Sequence, residues 1–287
     1  MGSLITRALR STIVVGILGA LLAYPVPSQA KAFNRFQFPP ATSFPAPDTL
    51  TYEIVAKGDG KPGSETHKGS GSFSTRLITS GPYDKYEIVF NGTEPGGQTL
   101  GWTAFLDAKS LKPWGYTRRY TDERGTETLE LTFADKQVDQ VVTQINGEVI
   151  ERKLSNFGDY TLMPLLFLAG RGLEFGTGNL FTTMLLNPEG LTFETPFVSI
   201  VGKEVIPVPA GIYECWKVEY KFNGDLREYG YYAVKDPRIV AQYETPDRIW
   251  RLTKHGLGGT KSHGTPKPAV ASTDSNPTHP RPKLPPQ

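Results

Sequence analysis

The side chains in this 287-residue sequence with the most chemistry to offer are one thiol, four imidazoles and several carboxylate pairs. A nucleophilic cysteine needs an imidazole or another positive field nearby to lower its pKa. Cys215 is the single cysteine, and of His67, His255, His263 and His279 only the first two fall in the part of the chain that reads as folded. Cys215 alternates with Glu214 and Trp216 in a strand-like run, which predicts a buried, inert thiol on the face opposite Trp216. One cysteine excludes a disulfide framework and a cysteine-rich zinc site, and the scattered tail histidines make no ligand set. Glu127 with Glu130, and Asp135 with Asp139, have the composition of acid–base pairs, but on strands they read as solvated carboxylates. Arg118 and Arg119, close to Trp114, Tyr116 and Tyr120, are suited to stacking on rings or clamping an anion, with surface pairing the simpler expectation. Residues Gly58 to Gly63 spell GxGxxG, yet Pro62 and the Gly/Ser-rich stretch to Ser72 leave no helix N-terminus to face a phosphate. No GKS/GKT loop, GxSxG elbow or HExxH pair occurs. Accordingly no catalytic residue, no metal and no cofactor is expected.

The elements that must position any site come next. The 31 basic and 29 acidic residues nearly balance, without a block of like charge, so a nucleic-acid partner is not expected. Residues 1–30 read as a signal peptide: Arg7 and Arg10, an apolar run from Ile13 to Ala23, and Ser28-Gln29-Ala30 before a cleavage point near Ala30. Pro25 and Pro27 interrupt the run before it reaches the roughly 20 residues that span a bilayer, so no stable membrane insertion is expected after cleavage. The expected location is periplasmic or secreted. Residues 31–48 are a Pro-rich arm, with Pro39, Pro40, Pro45 and Pro47 excluding a regular helix or central strand. Residues 256–287 are rich in Pro, Ser, Thr and Gly and read as a disordered tail, its Lys261, Lys267, Arg281 and Lys283 set against Asp274 alone.

Between them, residues 49–255 alternate with period two. Trp216, Val218, Tyr220 and Phe222 interleave with Lys217, Glu219 and Lys221, and Leu129, Leu131 and Phe133 with Thr128, Glu130 and Thr132. Asn91-Gly92, Asn146-Gly147 and Asn223-Gly224 stand between such runs as hairpin turns. A two-residue turn at 223–224 sets Val218 opposite Tyr229 and Trp216 opposite Tyr231. The pattern predicts about ten to twelve strands in a single antiparallel, incomplete barrel, a mainly β half-barrel. One interval breaks it. Asp159 to Gly170 carries Leu162, Leu165, Leu166 and Ala169 at helical spacing, with Asp159 as cap and Gly170 as stop. One or two short helices follow, the second over 179–186, covering the concave side. Gly170, Gly172, Gly176 and Gly178 are hinge candidates for a lid. The residues expected to line a cavity beneath it are Leu162, Leu165, Leu166, Phe167, Phe181, Met184, Trp216, Val218, Tyr220, Tyr229 and Tyr231.

The run from Val208 to Glu219 (VPAGIYECWKVE), the run from Tyr231 to Val240 (YYAVKDPRIV) and the aromatic last strand from Asp247 to Leu252 resemble the domain-of-unknown-function 3108 family, over about residues 50 to 254. The resemblance implies an exported protein with a half-barrel similar to LolA-type lipoprotein carriers, which shelter acyl chains in the concavity. It implies no catalytic residues. The expected function is non-enzymatic binding of a lipid or other hydrophobic ligand in the cell envelope. Two alternatives are an envelope protein–protein interaction module whose core is filled, and an enzyme acting on cell-wall or glycan material.

Overall fold

The structure is a computed structural model that describes residues 34–35, 46–58, 68–80, 83–155, 158–176, 179–235 and 237–257. The leader, most of the arm, nearly all of the tail, His67, His263, His279, Gly178 and the GxGxxG run after Gly58 lie outside the described residues. Eight strands follow one another as antiparallel neighbours: β2 (Asp48–Ala56), β3 (Lys68–Ser80), β4 (Tyr83–Thr93), β5 (Thr99–Asp107), β6 (Pro113–Asp122), β7 (Gly125–Phe133), β8 (Gln137–Thr143) and β9 (Val149–Ser155). A second run comprises β14 (Phe197–Val208), β15 (Gly211–Lys221), β16 (Arg227–Ala233), β17 (Val240–Glu244) and β18 (Arg248–Leu257). β18 pairs antiparallel with β2, so the beginning and end of the described domain meet in mid-sheet. The short strands β11 (Leu180–Thr182) and β1 (Asn34–Arg35) extend the sheet beyond β14, β1 running parallel to β11. The result is a 15-stranded sheet with edges at β1 and β9, not closed into a barrel. It is the mainly β, open architecture that the alternation predicts, with more strands because the short β1 and β11 lengthen the flank beyond β14.

Alternation places one row of each strand inward. Trp102, Ala104 and Leu106 of β5 are buried, as are Ile88 and Phe90 of β4 and Leu50, Tyr52 and Ile54 of β2. Asn91-Gly92 is not a turn. It lies inside β4, paired with Ser72 and Gly71, and the turn comes at residues 94–98, where Glu94 N donates to Gln98 O at 2.7 Å and Gly97 has φ 87°. A methyl group at position 92 would strike the Phe90 ring and the Ser70 carbonyl, so glycine here serves close packing within the strand. Asn146-Gly147 does turn, Gln144 N bonding Glu148 O at 2.8 Å. The Asn223-Gly224 turn is longer than two residues, because Phe222 N bonds Leu226 O and both Gly224 (φ 74°) and Asp225 (φ 62°) are left-handed. Trp216 therefore faces Tyr232, and Val218 faces Gly230.

The cover is only partly helical. β10 (Thr161–Leu162) leads through a tight turn at Met163–Leu165 into α1 (Leu166–Ala169), and a further turn spans Gly170–Gly172. Pro164 sits in the tight turn, and Asp159 is an ion-pair partner of Lys112 at 3.1 Å instead of a cap. Residues 179–186 form no helix. They split into β11 and the start of β12 (Leu185–Asn187), because β14 offers β11 a sheet edge, and β10 and β13 (Thr192–Glu194) flank β12 in a three-stranded sheet. The β-branched pair Thr182-Thr183 favours that outcome.

Candidate functional site

A cavity of about 470 Å³ opens between the concave face of the sheet and this cover, within the roughly 300–1,000 Å³ range of small-molecule sites. Its floor is aromatic, built from four strands. Phe73 of β3, Phe90 of β4, Trp102 of β5 and Trp250 of β18 have ring centroids 4.7 Å apart for Phe73–Phe90, 5.8 Å for Phe90–Trp102 and 5.4 Å for Phe90–Trp250. Phe167 of α1 closes on this floor at 4.4 Å from Phe73 and meets Tyr243 edge-on at 5.7 Å. Such ring pairs prefer offset or edge contacts.

The walls carry charge. Arg118 of β6 projects inward, bonding Glu127 through Nη2 and Glu189 Oε1 through Nη1 at 2.9 Å, while its Nε is buried without a hydrogen-bond partner. Arg248 Nη1 stands 2.7 Å from Glu94 Oε2, and Arg248 Nε 3.2 Å from Asp247. Glu228 Oε2 accepts a 2.5 Å hydrogen bond from Tyr243 Oη. Burial pushes the carboxyls of Glu94, Glu189 and Glu228 above the usual carboxylate range. Arg248 pulls Glu94 part of the way back and Arg118 does the same for Glu189, whereas Glu228 has only the Tyr243 hydroxyl.

The cover is bolted down beside the cavity. Tyr220 and Tyr232 share a 2.6 Å hydrogen bond, and Tyr232 Oη donates to the Phe167 carbonyl at 2.9 Å. Arg171, buried, bonds Asp48 Oδ2 at 2.7 Å through Nη1 and the Arg238 carbonyl at 2.8 Å through Nε. His255 Nε2 lies 2.9 Å from the other Asp48 oxygen. Gly170 is thus a packing position beneath two tyrosine hydroxyls and no hinge. Loop residues also line the cavity: Glu94 and Gln98 of the 94–98 turn, Asn187 to Glu189, Thr245 and Arg248.

The family model for "Protein of unknown function (DUF3108)" matches residues 51–249, most of the described domain. The chain belongs to the DUF3108 family. Two solved structures are similar to it at low identity. One is a beta-barrel-like protein of domain of unknown function DUF1849 from Brucella abortus (11% identity, TM-score 0.41, covering 77% of this chain and 98% of that one). The other is a protein of YmcC-like fold from Bacteroides fragilis, inferred to be exported (10% identity, TM-score 0.31, covering 78% and 98%). No curated protein matches. Among the described residues no helix of this DUF3108 chain is long and apolar enough to cross a membrane.

Of the residues expected to line the cavity, Phe167 does so. Leu162, Leu165, Leu166, Phe181, Val218 and Tyr220 are packed into the core where the cover meets β14 to β16. Met184 is half-buried near Gly158, and Trp216 stacks on Phe175 at 5.8 Å. Tyr229 and Tyr231 lie on the opposite face of the sheet, across from Glu219 and Lys217, because the longer 223–226 turn shifts their register by one residue. Lys217 Nζ sits 5.1 Å from the Tyr229 ring and 5.5 Å from that of Tyr231. The same shift turns Glu228 inward, where the sequence had pointed to aromatic rings alone.

The other chemical candidates resolve locally. Glu127 is held by Arg118, and Asp139 lies 3.8 Å from Lys153 and accepts from Gln137. Glu130 and Arg119 face an open groove along β2 to β7, lined by Thr51, Ser72, Asn91 and Thr117 together with Leu100, Trp102 and Leu129. Among the described residues no group of three or more His, Cys, Asp or Glu side chains is placed to hold a metal. Cys215 is buried, and burial, with a smaller push from Glu214, raises its thiol to about 12. A charge-neutral alkylating reagent at pH 8 is therefore expected to leave Cys215 untouched for hours in the folded protein and to modify it within minutes in denaturant, as read by mass spectrometry. The raised value makes the thiol stabilising below its ordinary value of 9.0, and that contribution fades as pH climbs from there towards 12.

Proposed function

We propose that the protein is a non-enzymatic, exported binder of a hydrophobic molecule, which it shelters in the half-barrel cavity as part of cell-envelope maintenance. The observation that carries this reading is a cavity of about 470 Å³ beneath Phe167 that is lined by Phe73, Phe90, Trp102 and Trp250, the last half-buried and the other three buried. Beside the Phe73–Phe167 contact, about 470 Å³ between the rings, the charged walls and the cover is left unfilled by side chains. Export is supported by the leader-like pattern of residues 1–30. Burial of an alkyl chain supplies about 0.8 kcal/mol per methylene, so about ten buried methylenes supply the roughly 8 kcal/mol of micromolar binding before the cost of association.

An uncharged naphthylamine fluorophore tests the reading. The purified protein is expected to enhance its emission with saturation at micromolar concentration. Leu100→Trp, which puts a larger side chain at a half-buried wall position, is expected to weaken binding at least tenfold while leaving the circular dichroism spectrum unchanged. Absence of uptake by the unmodified protein, together with no extractable bound lipid, overturns the proposal in favour of an interaction module.

A further inference from the structure

The polar groups around the cavity carry a charge imbalance that selects among amphiphiles. Three carboxylates, Glu94, Glu189 and Glu228, line it, against two cations, Arg118 and Arg248. Both cations are engaged: Arg118 holds Glu127 and Glu189, and Arg248 holds Glu94 and Asp247. Among the described residues no cation forms an ion pair with Glu228, whose single bond is to the Tyr243 hydroxyl. Glu94 is 6% exposed, and its Oε2, although 2.7 Å from Arg248, has no aligned hydrogen bond. Electron-rich ring faces line the same space, and such faces attract cations and not anions. The wall therefore carries no spare positive charge: both guanidiniums are paired and the one unbonded N–H, Arg118 Nε, is buried, so an anionic head group would meet surplus carboxylate.

We infer that the ligand of this cavity is a cationic amphiphile, an apolar body bearing an ammonium group, with the ammonium seated between Glu228 and the faces of the aromatic floor. The inference rests on the binding function proposed above and specifies its ligand class. Burial holds the Glu228 carboxyl above its usual range, and an arriving ammonium supplies the counter-charge that the fold omits. The apolar body lies along Phe73, Phe90 and Trp102, and selectivity resides at the head group.

Three ligands of equal chain length separate the possibilities: decyltrimethylammonium, decanol and decanoate, each below its micelle concentration. Binding at pH 7.5 is read by calorimetry and by tryptophan emission, to which Trp102 and Trp250 contribute. The ammonium compound is expected to bind at least tenfold more tightly than decanoate, with decanol between them. In Glu228→Gln, with unchanged circular dichroism, the ammonium compound is expected to fall to within about threefold of decanol while decanol itself is unaffected. Equal affinities, or a preference for decanoate, overturn the charge assignment and leave hydrophobic binding standing. An undiminished ammonium preference in Glu228→Gln overturns the role of that carboxylate. Failure of all three ligands to bind overturns both this inference and the function on which it rests.

Discussion

Asp48→Ala is expected to remove about 3–5 kcal/mol of folding stability, a large share of the roughly 5–15 kcal/mol typical of a domain. Asp48 and Arg171 are each 3% exposed, and the carboxylate serves two partners, Arg171 through one oxygen and His255 through the other. Deleting it strands the Arg171 guanidinium in the interior, where an uncompensated charge is far costlier than the pair was favourable. The cause can be separated from simple loss of contacts. Asp48→Ala with Arg171→Met removes both charges and is expected to recover more than half of the lost stability, measured by urea denaturation at pH 7. A single variant that loses less than 1 kcal/mol, or a double variant that is worse than the single one, contradicts the account.

Gly170→Ala is expected to destabilise by about 3 kcal/mol, at the upper end of what overpacking a core usually costs. A methyl group there would fall inside van der Waals contact with the hydroxyls of both Tyr232 and Tyr220, the pair that ties the sheet to the Phe167 carbonyl. The clash cannot be relieved by swinging the end of a flexible chain, since both rings are fully buried. The cover must shift, so the variant is also expected to lose fluorophore binding as Phe167 leaves its place over Phe73. Tyr220→Phe in the Gly170→Ala background removes one of the two obstructing hydroxyls and is expected to restore part of both losses. Gly202→Ala is the control: nothing lies within 4 Å of the added methyl, and its stability should change by less than about 0.5 kcal/mol.

The strands were legible in the sequence because each needs only its own alternation: the run from Leu129 to Phe133 lies in β7, and all but the last residue of the run from Trp216 to Phe222 lies in β15. The cover was legible as an interruption but not in its form. The helical spacing of Leu162, Leu165 and Leu166 was real, yet edges offered by distant strands drew residues 161–162 and 180–187 into pairing. The floor of the cavity was hidden for a different reason. Phe73, Phe90 and Trp102 look like ordinary strand residues, and Trp250 joins them only because β18 pairs with β2 across some two hundred residues. Glu228 was missed through a single turn: one extra residue between β15 and β16 exchanges the faces of Glu228 and Tyr229. The alternation REYGYYA permits either assignment, and only the left-handed Asp225 after Gly224 decides it.

The seam between β2 and β18 also sets the order in which the polypeptide can mature. Each flank is a meander of adjoining strands that can zip locally, but the join between them waits for the last strand to arrive. Until then Tyr52 and Ile54 have no outer neighbour, and the aromatic floor is missing its fourth ring. Closing so long a loop is entropically slow, which makes the half-assembled form, with a greasy inner surface and an unpaired central edge, the stage at which the chain is most exposed to self-association.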